Sequence, residues 1–174
     1  LKQFGFADLD GHFRGSSDGQ VRGPFLPGYD EPLRLFCGLE VKTHNDKSFK
    51  ELVKKGVLSS KPVHWVQMQI YMHYQRLEYT LYVSVNKNDD EPYYELVAYK
   101  PEVALSYIDI ADKVKDAQQP PARITEDPSW FECRFCDFKS ICHLGTDPNK
   151  NCRSCTFATA VEDAGWHCGR FRQG

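Results

Sequence analysis

The chain has 174 residues, of which 41% are hydrophobic and 26% charged, and its formal net charge at pH 7 is −2. This composition is typical of a soluble globular protein with one sizeable core, and the net charge does not by itself indicate a nucleic-acid binder. We find no apolar run of membrane-spanning length and no signal peptide, so the sequence predicts a cytoplasmic protein without a membrane partner.

The first predicted elements are two strands within residues 3–21, joined at a tight turn or bulge formed by Gly15-Ser16-Ser17-Asp18-Gly19. Proline and glycine residues predict a loop over 22–32. Hydrophobic periodicity then predicts a central strand over 33–41, helices over 46–56 and 63–76, strands over 77–85 and 92–99, and a helix over 101–118. This order predicts an α/β domain with a mixed sheet.

Two of these helices have a predicted buried stripe. The helix over 46–56 is expected to bury Phe49, Leu52 and Val53 and to stop at Gly56. The helix over 101–118 is expected to bury a longer stripe, namely Val103, Ala104, Ile108, Ala111 and Val114. The prolines at 120 and 121 end the domain, which divides the chain into residues 1–120 and 121–174.

Lysine residues are concentrated in the segment around the first predicted helix: Lys42, Lys47, Lys50, Lys54, Lys55 and Lys61. A local basic strip can contact phosphate groups even when the net charge is near zero. Asp46 and Glu51 lie in the same segment, however. They favour a plainer interpretation, in which the lysines belong to a solvated helix face and pair with these two acids.

The central predicted strand carries an acid and a base, Glu40 and Lys42, two residues apart. Because side chains alternate along a strand, the two point to one face while Leu39 and Val41 point to the other. Charged groups are rarely buried unless they are paired or bind a metal ion. The pair is therefore either a same-face salt bridge or part of a site that holds a cation and its water.

A second acid, Asp18, lies in the glycine turn, where a short carboxylate can project from the end of a sheet. Asp8 and Asp10 are competing acids nearby, and Asp18 also fits a plain turn position. On the helix predicted over 63–76, Gln67 and Tyr71 are four residues apart and share one face. Their spacing fits either satisfied core residues or a polar pair aimed at the end of the central strand.

Six of the seven cysteines lie in the last quarter of the chain. Fifteen residues separate Cys133-x-x-Cys136 from Cys152-x-x-Cys155, which is a spacing typical of a four-thiolate zinc site. In this interpretation the alternates are Cys142, His143, His167 and Cys168. Thiolates also bind iron–sulfur clusters, so an alternative set is Cys133, Cys136 and Cys142 with a fourth ligand from elsewhere.

The motifs occur in the order Gly15-x-x-Asp18, Glu40-x-Lys42-Thr43, Gln67-x-x-x-Tyr71 and a terminal cysteine cluster. In this order, over residues 1–120, the chain resembles the PD-(D/E)XK nucleases, in particular the RecB-like and lambda-exonuclease-like branch, which includes many phage enzymes. The resemblance implies a restriction-endonuclease-like mixed sheet flanked by helices, followed by a cysteine-rich metal-binding module over residues 121–174.

The resemblance also implies a role for each matching residue. The implied roles are metal binding by Asp18 and Glu40 with the carbonyl of Val41, catalysis by Lys42, and support of the site and DNA by Gln67 and Tyr71. The implied activity is Mg²⁺- or Mn²⁺-dependent hydrolysis of DNA, of the exonuclease type, in recombination, repair or phage DNA processing. The expected partners are DNA and either a second copy of the chain or a recombination protein, in a bacterial or phage-infected cell.

Two features depart from the family pattern. The first motif of the family, a helix with an acid that completes the site, would precede Asp18 by more residues than this chain has. Since the chain also lacks an initiator Met, we expect residues before Leu1.

The alternative function is a catalytically incomplete nuclease-fold module that binds DNA or acts as a scaffold and carries a structural zinc site. In a third interpretation, a zinc module mediates protein interactions and Glu40 and Lys42 form only an ion pair.

The cysteine pattern departs as well. Cys133-x-x-Cys136-x5-Cys142 is similar to the cluster-binding end of iron–sulfur members of this branch, whose fourth cysteine lies far upstream of the catalytic acids. Cys37 lies inside the central strand and does not fit that role. The extra cysteines, Cys152, Cys155 and Cys168, favour zinc over a 4Fe–4S cluster.

Overall fold

A computed structural model of the chain describes residues 3–24, 34–152, 155–161 and 165–170. The described residues of Leu1–Asp8 and Phe13–Asp112 form one compact unit, and those of Leu9–His12 and Lys113–Gly174 form a second. Among the described residues, no helix is both long enough and apolar enough to cross a membrane.

The first unit is a mixed α/β domain built on a four-stranded sheet. Its strands are β3 (Gly19–Arg22), β4 (Phe36–His44), β5 (Tyr79–Asn86) and β6 (Pro92–Ala98), in that order across the sheet. The β3–β4 and β5–β6 pairs are antiparallel, whereas β4 and β5 are parallel. Parallel neighbours need a long crossover. Helices α1 (Asp46–Ser60) and α2 (Pro62–Gln75) supply it.

The N-terminal segment forms a separate two-stranded sheet of β1 (Phe4–Asp8) and β2 (Phe13–Ser17), which are joined across a 3₁₀ turn at Leu9–Gly11. Three short strands therefore precede β4, where the sequence predicted two. Asp18 lies between β2 and β3, which confirms that its turn joins two strands.

The predicted position of the central strand was wrong by three residues, because β4 runs to His44 rather than to Val41. The prediction followed the hydrophobic run and stopped at the polar residues. Pairing with β5 continues through His44 opposite Asn86, so backbone hydrogen bonding extends the strand beyond its apolar part. The predicted first residue, Leu33, lies outside the described residues.

Helix α1 begins at a cap in which the Asn45 side chain accepts a hydrogen bond from the backbone N–H of Ser48 at 2.9 Å. Gly56 interrupts the helix with φ 73° and ψ 170°. The helix continues after this kink and ends at Ser60, four residues beyond the predicted stop. Phe49 and Leu52 are buried as predicted, whereas Val53 is 52% exposed. The sheet covers only the side of the helix that carries Phe49 and Leu52.

Pro62 begins α2 at a position where its missing N–H costs no hydrogen bond. The main core lies between these helices and one face of the sheet. It consists of buried residues from both helices, from β5 and β6, and from the turn between α2 and β5: Leu52, Val57, Met68, Met72, Leu77, Tyr82 and Val97. Burying such side chains contributes roughly 1.5–3 kcal/mol each, so this layer fixes β5 and β6 against the two helices.

Helix α3 (Pro101–Asp116) follows β6 as predicted, and its predicted stripe is covered only in part. Ala104 is buried, Val103, Ile108 and Ala111 are half-buried, and Val114 is 54% exposed. Apolar periodicity shows which residues share a helix face, but it does not show how much of that face another element covers.

Along α1, the lysine-rich segment agrees with the plainer of its two interpretations, a solvated helix face whose lysines pair with nearby acids. Lys50 pairs with Asp46 and Lys55 pairs with Glu51, each at 2.8 Å and one helical turn apart. Both pairs are exposed to solvent and contribute little to stability. Lys42 and Lys61 lie outside this helix face and belong to the region of the candidate site.

The second unit contains two short helices, α4 (Phe131–Arg134) and α5 (Lys139–Leu144), and a small hairpin of β7 (Ala158–Ala160) and β8 (Trp166–Cys168). The His12 ring lies 5.5 Å from the Trp166 ring, between centroids. All seven cysteines are free thiols.

Candidate active site

Glu40 occupies the middle of β4, directly opposite Tyr82 on β5. Its side chain is 1% exposed. Lys42 Nζ forms an ion pair with Glu40 Oε1, which confirms that the two side chains share a face. Glu40 Oε2 has no hydrogen-bond partner among the described residues. The carboxyl group of Glu40 is thus held almost fully out of water with one oxygen unsatisfied.

The environment of Glu40 opposes its ionisation. Burial raises the pKa of this carboxyl, the ammonium of Lys42 partly offsets the rise, and the negative charge of Asp18 adds to it. Burial and a neighbouring carboxylate both destabilise the charged form of a carboxyl group. A bound cation would stabilise that charged form.

Asp18 lies at the end of β3, beside the same part of β4. Its Oδ2 accepts a hydrogen bond from the backbone N–H of Val41 at 2.8 Å. The β3–β4 ladder ends at the pair Gly19–Leu39, so Val41 lies just beyond it. Because the N–H and C=O of one strand residue point to the same edge, the Val41 carbonyl also faces the Asp18 side. The structure thus brings Asp18, Glu40 and Val41 together.

The competing acids have other contacts. Asp8 accepts a hydrogen bond from the Tyr74 hydroxyl at 2.6 Å, near the C-terminal end of α2. Asp10 belongs to the second unit, where Lys115 Nζ approaches its carboxylate at 3.6 Å. Of the three candidate acids in this region, Asp18 is the one placed beside β4.

Gln67 and Tyr71 share one face of α2 as predicted, and Gln67 Nε2 donates to the Tyr71 hydroxyl at 2.7 Å. Tyr71 packs against the strand that leads to Asp18, because a Cβ on Gly15 would lie only 2.8 Å from Tyr71 Cε1. Gly15 therefore permits the helix to approach β2. Tyr71 thus supports β2, the strand that leads to Asp18.

Gln75, which the sequence analysis missed, ties the end of α2 to the strands on either side of Asp18. Its Oε1 accepts hydrogen bonds from Gln20 Nε2 at 3.1 Å and from the Ser17 hydroxyl at 3.3 Å. Its Nε2 donates to the backbone carbonyl of Phe4 at 3.1 Å. A polar residue in the last turn of a helix is common, so the sequence offered no signal for this positioning role.

A histidine–tyrosine–histidine chain next to Glu40 was also missed. The Tyr82 hydroxyl lies 3.1 Å from His44 Nε2 and 2.9 Å from His64 Nδ1. Burial and the charges of Lys42, His44 and Lys61 lower the pKa of His64 to about 4. The period-2 pattern places Glu40, Lys42 and His44 on one face, but the sequence does not reveal that α2 brings His64 to them.

Cys133 lies near enough to Cys136 and to Cys142 for each to affect its pKa. Burial raises the pKa of Cys133, and the charges of Cys136 and Cys142 raise it further. Cys152 and Cys155 flank a turn in which the Cys155 N–H donates to the Cys152 carbonyl at 3.3 Å. Cys168 on β8 pairs with Ala158, whose N–H donates to the Cys155 carbonyl at 3.1 Å.

The two histidines proposed as alternate ligands also have identified neighbours. His143 lies close enough to lower the pKa of Asp127, and His167 pairs with Thr159 on β7.

Within the described part of the chain, no group of three or more His, Cys, Asp or Glu side chains is arranged as a formed metal site. The metal assignments at Asp18 and Glu40 and at the cysteines therefore stay predictions.

No protein-family model matches the chain, and no curated protein sequence matches it. A crystal structure of a protein named SSO0001 is similar to the chain, with a TM-score of 0.45 and 18% sequence identity. The similarity covers 77% of this chain and 52% of that one, so the chain spans about half the length of the structure that it resembles.

Proposed function

We propose that the chain is a divalent-metal-dependent DNA nuclease with a restriction-endonuclease-like core and that Asp18, Glu40 and Lys42 form its active site. One observation carries the proposal. Glu40 is almost fully buried with an unpartnered oxygen, beside a second carboxylate and an ammonium group. Such an arrangement is costly unless it serves a site.

The residues fit a hard divalent cation. Mg²⁺ prefers oxygen ligands and binds through one or two carboxylates together with phosphate oxygens. Asp18, Glu40 and the Val41 carbonyl supply such oxygens, and the unpartnered Glu40 Oε2 is an available donor. When bound, the cation provides Lewis-acid stabilisation of a phosphodiester and makes a nearby water more acidic.

Side chains and backbone groups of the protein itself orient the reactants and position the metal-binding acids. Lys42 is 28% exposed, so its ammonium reaches solvent while it stays paired with Glu40. From there it orients the attacking water or stabilises charge that develops on the phosphoryl oxygens. The Val41 N–H fixes Asp18, and the contacts of Gln75 and Tyr71 hold the strands on either side of Asp18.

The test is hydrolysis of linear double-stranded and single-stranded DNA by the full chain in Mg²⁺, in Mn²⁺ and in EDTA. We expect cleavage with either metal, none in EDTA, and none for Asp18→Asn. Asp8→Asn is the matched control, since Asp8 binds Tyr74, and it should cleave normally. DNA binding without cleavage would contradict the proposal and favour a non-catalytic DNA-binding or scaffold module.

The cysteines of the second unit are proposed to hold a structural metal ion. A segment with few buried side chains gains much of its stability from such a staple. The zinc set is Cys133, Cys136, Cys152 and Cys155; the iron–sulfur alternative uses Cys133, Cys136 and Cys142, of which the last two act on the pKa of Cys133.

Substitution separates these two sets. With zinc, purified protein is colourless, and Cys136→Ser and Cys152→Ser each lower the bound zinc measured by elemental analysis. With a cluster, the protein is brown, and only Cys136→Ser removes the visible absorption. Cys37→Ala, in the buried part of β4, is the control and should leave the metal content unchanged. Wild-type protein without bound metal would contradict both sets.

A further inference from the structure

Beside the proposed catalytic centre lies a cluster of cationic and imidazole groups that the nuclease mechanism does not use. His44 is at the end of β4, His64 is in the first turn of α2, and their rings stack at 5.7 Å with an angle of 16° between planes. The Tyr82 hydroxyl, from a fully buried side chain, lies between them. The three groups form one hydrogen-bonded chain.

The charges that act on the two imidazoles are positive. After burial, Lys61, Lys87 and Lys42 lower the pKa of His44, and Lys42, His44 and Lys61 lower that of His64. The acids act on the phenol between the imidazoles, because Glu40 and Glu95 raise the pKa of Tyr82, and Glu40 also pairs with Lys42. Lys61 is the N-cap of α2, and the Lys87 N–H donates to the His44 carbonyl at 2.8 Å. The two imidazoles therefore lie beside positive charge, which favours an anion as their ligand.

The hydrogen-bonded chain is suited to taking up one proton. Burial raises the pKa of Tyr82, so its phenol keeps its proton and donates it to only one imidazole. The other imidazole then donates its own N–H to the phenol oxygen, and its outer nitrogen carries a lone pair. Protonation of that outer nitrogen leaves the chain intact and makes both outer nitrogens donors. An anion is the ligand that favours this state.

We propose that His44, His64, Lys61 and Lys87 form a phosphate-binding subsite that holds a nucleic-acid phosphate other than the one cleaved. The proposal deepens the nuclease function and rests on it for the identity of the ligand. Phosphate is the anion that fits, since charge-assisted hydrogen bonds from imidazolium and ammonium groups are its usual protein contacts. A terminal monoester and an internal diester share this chemistry.

The test measures binding without metal. Full-length protein in EDTA is titrated with a single-stranded thymidine oligonucleotide, either unmodified, 5′-phosphorylated or 3′-phosphorylated, and binding is followed by fluorescence anisotropy and by NMR of the histidine ring protons. We expect the pKa of the His44–His64 pair to rise on binding and the affinity to increase as the pH falls. Preference for one phosphorylated end would identify a terminal phosphate, and equal binding would identify an internal diester.

Variants define the subsite. Lys61→Gln and His64→Gln should each weaken binding about tenfold, as expected for a lost charge-assisted contact. Lys61→Gln should also reduce the slope of log affinity against log salt by about 1. Lys54→Gln, on the solvated side of α1, is the matched control and should bind like wild type. Unchanged histidine signals in wild-type protein, or wild-type affinity for both variants, would overturn the subsite.

The two proposals fail separately. Cleavage in Mg²⁺ that depends on Asp18, with no effect of Lys61 or His64 on binding, removes the subsite and keeps the nuclease. Binding that depends on Lys61 and His64 in EDTA, with no cleavage in any metal, keeps the anion site and removes the nuclease.

Discussion

Glu40→Gln is expected to abolish metal-dependent DNA hydrolysis and, at the same time, to stabilise the protein in the absence of metal. Glutamine has nearly the same shape as glutamate but carries no charge, so the buried carboxylate no longer has to be desolvated. It is also a poor ligand for a hard cation. The loss of activity should exceed about 100-fold, the upper end for residues that only support a metal ligand.

The pH dependence of stability separates this effect from a general loss of structure. The pKa of Glu40 is raised in the folded protein, so the folded state holds its proton more tightly than the unfolded state does. The free energy of unfolding therefore falls as the pH rises from about 4.5 through the folded pKa. This decline should be present in wild type and smaller in Glu40→Gln, as measured by urea unfolding in EDTA between pH 4 and pH 8.

Metal binding supplies a third measurement. A ligand that binds only the folded state raises its stability by about 2.7 kcal/mol at 100 times its dissociation constant. Mn²⁺ should therefore raise the melting temperature of wild type but not of Glu40→Gln. Equal increases for both would show that Glu40 does not bind the ion.

Glu95→Gln is the matched control for this substitution. Glu95 is another acid on the same sheet, and its Oε2 accepts hydrogen bonds from the Val57 N–H at 2.8 Å and the Tyr93 hydroxyl at 2.6 Å. Its replacement should lower stability, since two charge-assisted hydrogen bonds weaken, while cleavage continues. Glu40→Gln should thus raise stability and abolish cleavage, whereas Glu95→Gln should lower stability and leave cleavage intact.

Much of the fold was predictable because it follows from local periodicity. The helix around Gln67 and Tyr71, the hairpin of β5 and β6 and the helix after Pro101 lie within a few residues of their predicted positions. Each has a clear apolar period or a proline or turn at its boundary. The errors arose where tertiary contacts decide, as at the polar end of β4 and on the uncovered face of α3.

The candidate site was predictable in part for the same reason. The face shared by Glu40 and Lys42 follows from the strand period, and the turn at Asp18 follows from its glycines. The roles of His64 and Gln75 could not be predicted, since both act across long sequence distances. His64 reaches Tyr82, 18 residues away, and Gln75 reaches Ser17, 58 residues away. Such contacts depend on how α2 packs, which no local pattern records.

Lys42→Met is expected to abolish cleavage and to destabilise the protein in a pH-dependent manner. Methionine keeps much of the length of the side chain but removes the ammonium group. Glu40, 1% exposed, then loses the charge with which it pairs. Breaking a fully buried pair costs about 3–5 kcal/mol. Because Lys42 is 28% exposed, we expect a smaller loss, on the order of 2 kcal/mol at pH 8.

The loss should become smaller as the pH falls. Lys42 lowers the pKa of Glu40 in the folded protein, so its removal raises that pKa further above the unfolded value. The additional destabilisation is complete only when the pH exceeds the new folded pKa, and it disappears once Glu40 is protonated in both states. Urea unfolding of Lys42→Met at pH 5 and pH 8 in EDTA measures this difference.

The double variant Lys42→Met, Glu40→Gln tests whether the two effects have one cause. With the carboxylate already neutral, the lysine substitution should cost little more stability, so the double variant should lie close to Glu40→Gln alone. Lys55→Met, which breaks a solvated pair with Glu51 at 2.8 Å, is the control and should leave stability nearly unchanged without affecting cleavage. If Lys42→Met behaved like Lys55→Met, the pair at Glu40 would be an ordinary ion pair, and the lysine would have no part in catalysis.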